Sequence, residues 1–147
     1  VKRLNLGAGA DIRASWVNVD RIFLPGIDVV HDLDMDPWPW EDASVDEISA
    51  IDVFEHVEDP LVFMNQAGRI LKPGGILRIR TGYWRHENSF TDPTHKRHCT
   101  EKSFDYWIAG TEFYEKYHAA YAAPGVAFSQ VSNSLDGSEL VVVLRRL

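Results

Sequence analysis

The stretch "RLNLGAGADIRASWVNVD", residues 3–20, decides how the rest of the chain is read. A short apolar run, Arg3 to Leu6, meets Gly7 and Gly9. A second run, Val17 to Val19, closes on Asp20. Runs of this length, bounded by turn residues, predict strands. A strand that ends in Gly-x-Gly lets backbone come close to whatever lies above it, because glycine has no Cβ and tolerates positive φ. An acid at the end of the following strand can accept hydrogen bonds from two ribose hydroxyls. A third strand, Ile27 to Val30, runs into His31-Asp32-Leu33. There Asp32 can accept from an exocyclic amino group of adenine, with Leu33 beside the ring. Together these residues describe a nucleoside site at the carboxyl ends of neighbouring strands, where open α/β sheets bind ligands. Ile12 stands where the third glycine of the dinucleotide fingerprint belongs, so a pyrophosphate held on a helix N-terminus is not expected.

Working outward, Val45 to Ala50 reads as a fourth strand. The clearest helix follows. Asp59 suits the N-cap and Pro60 the first helical position. Leu61, Met64, Gly68 and Leu71 fall on one face, and Lys72-Pro73-Gly74-Gly75 stops the helix and turns the chain. Ile76 to Thr81 alternates apolar and basic residues as a strand. Residues 83–100 look irregular, and Ser103 to about Tyr117 reads as a helix interrupted near Gly110. The end reads as two strands around Asp136-Gly137. The expected fold is α/β: one domain over residues 1–147, a mostly parallel sheet and an antiparallel C-terminal hairpin. Leu6 to Val17 leaves room for only a turn or two, where parallel strands usually need a full crossover. The fold is therefore reduced on its N-terminal side, and a homodimer is the expected way to complete the thin side of the site.

The bulk properties restrict the function. With 147 residues, 45% hydrophobic and 25% charged, the composition is that of an ordinary globular domain. No apolar stretch approaches the ~20 residues of a membrane helix, and no signal-peptide pattern precedes the first strand. Cys99 is the only cysteine, which excludes an internal disulfide and fits a cytoplasmic setting. A formal charge of −7 argues against a nucleic-acid partner. One segment is locally basic, with Arg78, Arg80, Arg85, Lys96 and Arg97 among His86, His95 and His98, and an anionic ligand is one reading of it.

"LNLGAG", "VNVD", "VVHDLD", "SVDEISAIDVFEHV" and "ILKPGGILRIRT" occur in that order. Over roughly residues 3–82 the chain resembles the class I S-adenosylmethionine-dependent methyltransferases. The resemblance implies a Rossmann-like sheet and S-adenosylmethionine as cofactor, a nucleoside without phosphates. It places Leu6, Gly7, Ala8 and Gly9 beneath the methionine part, Asp20 at the ribose, and Asp32 with Leu33 at the adenine. Ile51, Asp52 and Val53 would line the methionine end, and His56 in "FEHV" would lie near the floor of the active site. Asn5 and Ala8 depart from the family pattern, which usually has an acid or a cysteine there. A "DPTHKR" segment, residues 92–97, is similar to one in small methyltransferase-like sequences found among sugar-modifying proteins, and implies a lid or a substrate wall.

His86, Asp92, His95, His98 and Cys99 form a candidate metal set, but a second well-spaced pair is missing and no metal is expected. His95, His98 or His56 can instead act as general base, since imidazole titrates near working pH. "DLDMD" has the alternating acids of a calcium loop, yet Pro37 and Ala43 stand where glycine and glutamate are required. Trp38, Trp40, Phe104, Tyr106 and Trp107 read as packing. The expected activity is methyl transfer to a small polar acceptor, a sugar or related metabolite. The alternatives are a non-catalytic S-adenosylmethionine-binding module, a metal-dependent hydrolase using the His95/His98 loop, and a nucleotide-dependent oxidoreductase.

Overall fold

A computed structural model describes residues 1–147. Seven strands form one sheet: β1 Arg3–Leu6, β2 Val17–Asp20, β3 Val29–Val30, β4 Val45–Ile51, β5 Leu71–Gly82, β6 Phe128–Asp136 and β7 Glu139–Arg146. Their spatial order is β3-β2-β1-β4-β5-β7-β6. The first five are parallel, and β7 runs antiparallel between β5 and β6. The strand order reverses between β1 and β4, which makes their carboxyl ends the switch point of the sheet.

Helix α1, Pro60–Ile70, forms where expected. Asp59 caps it by accepting from the Leu61 and Val62 amides at 2.8 and 3.4 Å. It buries Phe63, Met64, Ala67 and Ile70 against Leu4, Leu6, Ile48, Leu77 and Ile79 of the sheet. At Gly68 a Cβ would stand 2.3 Å from Val126, so glycine lets the 123–127 segment close on the helix. A short helix, α2 Asn88–Thr91, lies in the stretch read as irregular. The helix expected from Ser103 is instead a 3₁₀ turn, Asp105–Trp107, and a separate α3, Glu112–Tyr121, divided at Gly110 with φ +89°. The third strand is shorter than expected, with Ile27 buried ahead of it. "LKPGG" does not turn the chain away from the sheet. Leu71 already pairs with Val45, Ile76 pairs with Glu47, and the residues between form an irregularity within β5.

No helix lies between β1 and β2 or between β2 and β3. The strands explain why none is required. They alternate, with Leu4, Leu6, Ile48, Leu77 and Ile79 on the apolar face and Arg3, Asn5, Glu47, Ser49 and Arg78 on the other, where Asn5 and Ser49 are also buried. Alternation of this kind belongs to a sheet whose second face is polar, whereas strands packed under helices on both sides read as continuous apolar runs; here the β1–β2 connection covers Asn5 and Ser49, and Arg3, Glu47 and Arg78 reach solvent. Arg3 and Arg78 both pair with Glu47, at 3.5 and 3.8 Å. Hydrogen bonds hold the first connection in place of a packed helix. Asn5 Nδ2 donates to the Asp11 carbonyl at 2.7 Å and to Asn18 Oδ1 at 3.1 Å. The Arg13 amide donates to Asn18 Oδ1 at 2.9 Å, and its guanidinium to Ser49 Oγ at 2.8 Å. Asn5, the departure from the family pattern, is thus the side chain that anchors the short crossover.

Candidate active site

A cavity of about 530 Å³ opens at the carboxyl ends of β1 to β4. Six of the ten residues expected at a cofactor line it: Gly7, Asp20, Asp32, Leu33, Asp52 and Val53. Leu6, Ala8, Gly9 and Ile51 do not. Leu6 and Ala8 are buried, and the Ala8 amide donates to the Val19 carbonyl at 2.9 Å.

Each wall follows from local geometry. Gly7 has φ +61°, and a Cβ there would stand 2.3 Å from Val53 Cγ2. The close approach that demands glycine is therefore between the β1 and β4 loops. Asp20 ends β2. Its Oδ2 accepts from the Gly9 amide at 2.9 Å and its Oδ1 from the Ile22 amide at 3.1 Å. A carboxylate has about four acceptor positions, so both oxygens retain capacity for hydroxyls. Asp32 Oδ1 accepts from the Asp34 amide at 3.0 Å, and the Leu33 carbonyl from Trp38 Nε1 at 3.0 Å. Asp52 has φ +55°, a left-handed conformation uncommon for a residue with a side chain and concentrated at functional sites. Its carboxylate accepts from Arg80 at 2.7 Å.

The "DPTHKR" segment forms a wall of this cavity through Pro93, Thr94 and Lys96. It is clamped to the "FEHVE" segment of the β4–α1 connection. The Lys96 amide donates to the Glu55 carbonyl at 2.7 Å, Arg97 donates to the Phe54 and Glu58 carbonyls, and Lys96 pairs with Glu58. Arg97 also lies over the Phe54 ring, 5.5 Å from its centroid, and burial lowers its pKa. Thr94 Oγ1 meets His56 Nδ1 at 3.0 Å, and the His56 and His95 rings stand edge to face at 4.8 Å.

The three candidate bases separate. His56 lines the cavity, and His95 packs behind it. His98 turns away. It stacks on Phe90 at 3.8 Å, meets Ser89 Oγ at 2.9 Å, and faces a second cavity of about 300 Å³. Cys99 is buried, and desolvation pushes its thiol up to about 11. The sequence-adjacent set His95–His98–Cys99 is therefore not gathered into one site. The basic segment is dispersed too: Arg78 pairs with Glu47, Arg80 with Asp52 and Lys96 with Glu58.

Sequence reading missed Arg21, His31, Asp34 and Glu58 among the cavity residues. Burial lowers the His31 pKa, and its Nε2 is a buried atom without a partner. The lining carries five carboxylates, Asp20, Asp32, Asp34, Asp52 and Glu58, against Arg21 and Lys96. Such a site favours a cationic ligand over a polyphosphate.

This strand order, with an acidic cavity at its switch point and an acid ending β2, defines an α/β protein of Rossmann-like architecture with a ligand-sized cavity where such sheets bind their ligands. A family model described as a methyltransferase domain matches residues 5–79, and the chain belongs to that family. A Mycolicibacterium smegmatis protein named "Probable S-adenosylmethionine-dependent methyltransferase" is 33% identical over 73 residues, which is 50% of this chain and 28% of that protein. This chain thus matches under a third of that relative's length. The fold is also that of a SAM-dependent methyltransferase from Thermotoga maritima, with TM-score 0.67, 16% identity, and coverage of 99% of this chain and 82% of the other. The 1,6-didemethyltoxoflavin-N1-methyltransferase of Burkholderia thailandensis, solved with its substrate and S-adenosylhomocysteine, gives TM-score 0.61 and 16% identity, covering 98% and 70%.

Proposed function

We propose that this chain binds S-adenosylmethionine in the cavity above β1 to β4 and transfers its methyl group to a small polar acceptor. The observation that carries the reading is the acidic cavity at the switch point, ending on an Asp20 carboxylate with unused acceptor positions. Its volume lies within the range usual for small-molecule sites. Its excess of carboxylates suits the sulfonium and ammonium charges of this cofactor. When bound, the cofactor supplies an electrophilic methyl carbon. Asp20 accepts from the ribose hydroxyls, Asp32 and Leu33 meet the adenine, and Gly7, Asp52 and Val53 border the methionine end. Leu6, Ala8, Gly9 and Ile51 contribute through the backbone they fix. His56 borders the same space. With Nδ1 donating to Thr94, its Nε2 lone pair is free to accept a proton from the acceptor. Alignment of the nucleophile supplies most of the remaining acceleration.

A sugar or related metabolite is the acceptor class we favour, from the polar "DPTHKR" wall and the sequences it resembles. A nucleotide-dependent oxidoreductase is not favoured, since no helix follows the Gly7–Gly9 turn to receive a pyrophosphate. A hydrolase built on His95, His98 and Cys99 is not favoured either, because His95 packs on His56 while His98 and Cys99 line the second cavity.

Asp20→Ala tests the assignment by calorimetric titration with S-adenosylhomocysteine. Hydrogen bonds to a charged group contribute about 1.5–3 kcal/mol each, so affinity should fall roughly ten- to several-hundredfold. Asp20→Asn, which keeps one acceptor oxygen for the Gly9 turn, should lose less. Unchanged affinity in a folded Asp20→Ala variant would overturn the ribose assignment.

A further inference from the structure

Glu55, His56 and His95 each offer a ligand atom, and these atoms lie within 4.8 Å of one another. Glu55 is 2% exposed. Its carboxylate accepts only from neutral donors, Thr81 Oγ1 at 3.0 Å and the Gly82 amide at 3.4 Å. Two further carboxylates, Asp52 and Glu139, offer oxygens within the same reach of Glu55. Arg80 satisfies Asp52, but Glu139 Oε2 is buried without a partner. Buried carboxylates are ordinarily paired with a cation or coordinate a metal. Two guanidinium groups lie nearby, but Arg80 pairs with the exposed Asp52 and Arg97 donates to the Phe54 and Glu58 carbonyls, so neither hydrogen-bonds Glu55.

Hydrogen bonds fix both imidazoles as ligands. The Ser89 carbonyl can only accept, so His95 Nδ1 donates to it at 2.9 Å. Thr94 gives its single hydroxyl proton to Asp92 Oδ1 at 2.7 Å, so His56 Nδ1 donates to Thr94 Oγ1 at 3.0 Å. In the neutral form each ring then carries its lone pair on Nε2, and Asp92 Oδ2 stands 3.8 Å from that atom of His95. A ring nitrogen held by a carbonyl or by a carboxylate relay is the usual support of a metal-binding histidine. Tetrahedral nitrogen and oxygen ligands at about 2.0–2.1 Å from a zinc ion stand about 3.3–3.4 Å apart, so these atoms, within 4.8 Å of one another, close around an ion by side-chain rotations of an ångström or so.

We propose that Glu55, His56 and His95 bind one first-row divalent metal ion at the edge of the cavity, through two imidazole nitrogens and one carboxylate. The set departs from the expectation of no metal and differs from the sequence-adjacent one: His95 is shared, while Glu55 and His56 come from the β4–α1 connection. Three protein ligands leave open positions, as catalytic metal sites do. The proposal does not rest on methyl transfer. In the loaded protein the His56 lone pair is a ligand and no longer a base.

Zinc is titrated calorimetrically into apo protein with no cofactor present, and visible absorption of the cobalt(II) form reports nitrogen ligation. Wild type should bind one equivalent. Glu55→Gln and His95→Ala should each weaken binding by roughly a hundredfold or more. Thr94→Val removes only the His56 support and should weaken it roughly ten- to a hundredfold. His86→Ala, at an exposed ring outside the cluster, should match wild type. Absent stoichiometric binding, or wild-type affinity in both folded Glu55→Gln and Thr94→Val, would overturn the site. S-adenosylhomocysteine titrated into the same apo sample reads the cofactor reading separately, so either can fail alone.

Discussion

Replacing Gly7 by alanine tests the junction on which the cavity is built. The new Cβ meets two separate penalties. At φ +61° an L-residue sits in the left-handed region, at a cost of about 1–2 kcal/mol. The Cβ also lies 2.3 Å from Val53 Cγ2, and relieving such overpacking costs about 1–3 kcal/mol. The sum is about 2–5 kcal/mol, which for a domain of this size lowers Tm by roughly 5–15 °C. Val53→Ala removes the methyl that collides and leaves the backbone cost untouched. A double-mutant cycle by urea denaturation should therefore show that the pair is less destabilised than the two singles added together, by about 1–3 kcal/mol. Additivity within about 0.5 kcal/mol would refute the reasoning. A Gly7→Ala variant as stable as wild type would refute it as well.

Two further predictions concern titratable groups. His31 has its pKa held below the ordinary 6.5 by burial, against the opposing charge of Asp32. The unfolded chain therefore binds the proton more readily, and the His31 contribution to stability is present above about pH 6.5 and is lost as pH falls below it. The difference between the pH–stability profiles of wild type and His31→Gln should narrow on acidification; a difference that is constant from pH 8 to 5 would contradict this. Cys99, buried and with its thiol raised to about 11, should resist iodoacetamide at pH 8 in the native protein and react promptly in denaturant. Prompt native labelling would show that the 83–100 segment opens.

Much of the fold was legible because its signals are local. Asp59-Pro60 starts α1 in two residues of sequence, and the alternation in "RLNL" and "ILRIRT" carries the strands. That alternation also encodes the polar second face of the sheet, since a parallel sheet packed under helices on both sides has no use for Arg3, Glu47 or Arg78. What remained hidden depends on chain segments far apart. The irregularity at Lys72–Gly75 is set by pairing with Val45, and glycine and proline read locally as a turn. His31 and Glu58 reach the cavity only because the loop after β3 crosses to the β4–α1 connection, where the Glu58 amide donates to Asp34 Oδ1 at 2.7 Å. Sequence adjacency grouped His95 with His98 and Cys99, whereas His98 and Cys99 line the second cavity and His95 packs on His56. The partners of His95 come instead from "FEHV", some forty residues earlier.

The central claim is most directly tested by calorimetric titration of the chain with S-adenosylmethionine, S-adenosylhomocysteine and NAD in parallel. The account predicts micromolar binding of both sulfur compounds at one site per chain, weakened in Asp20→Ala, and none for NAD. Absence of binding to either sulfur compound, or binding of NAD alone, would contradict it.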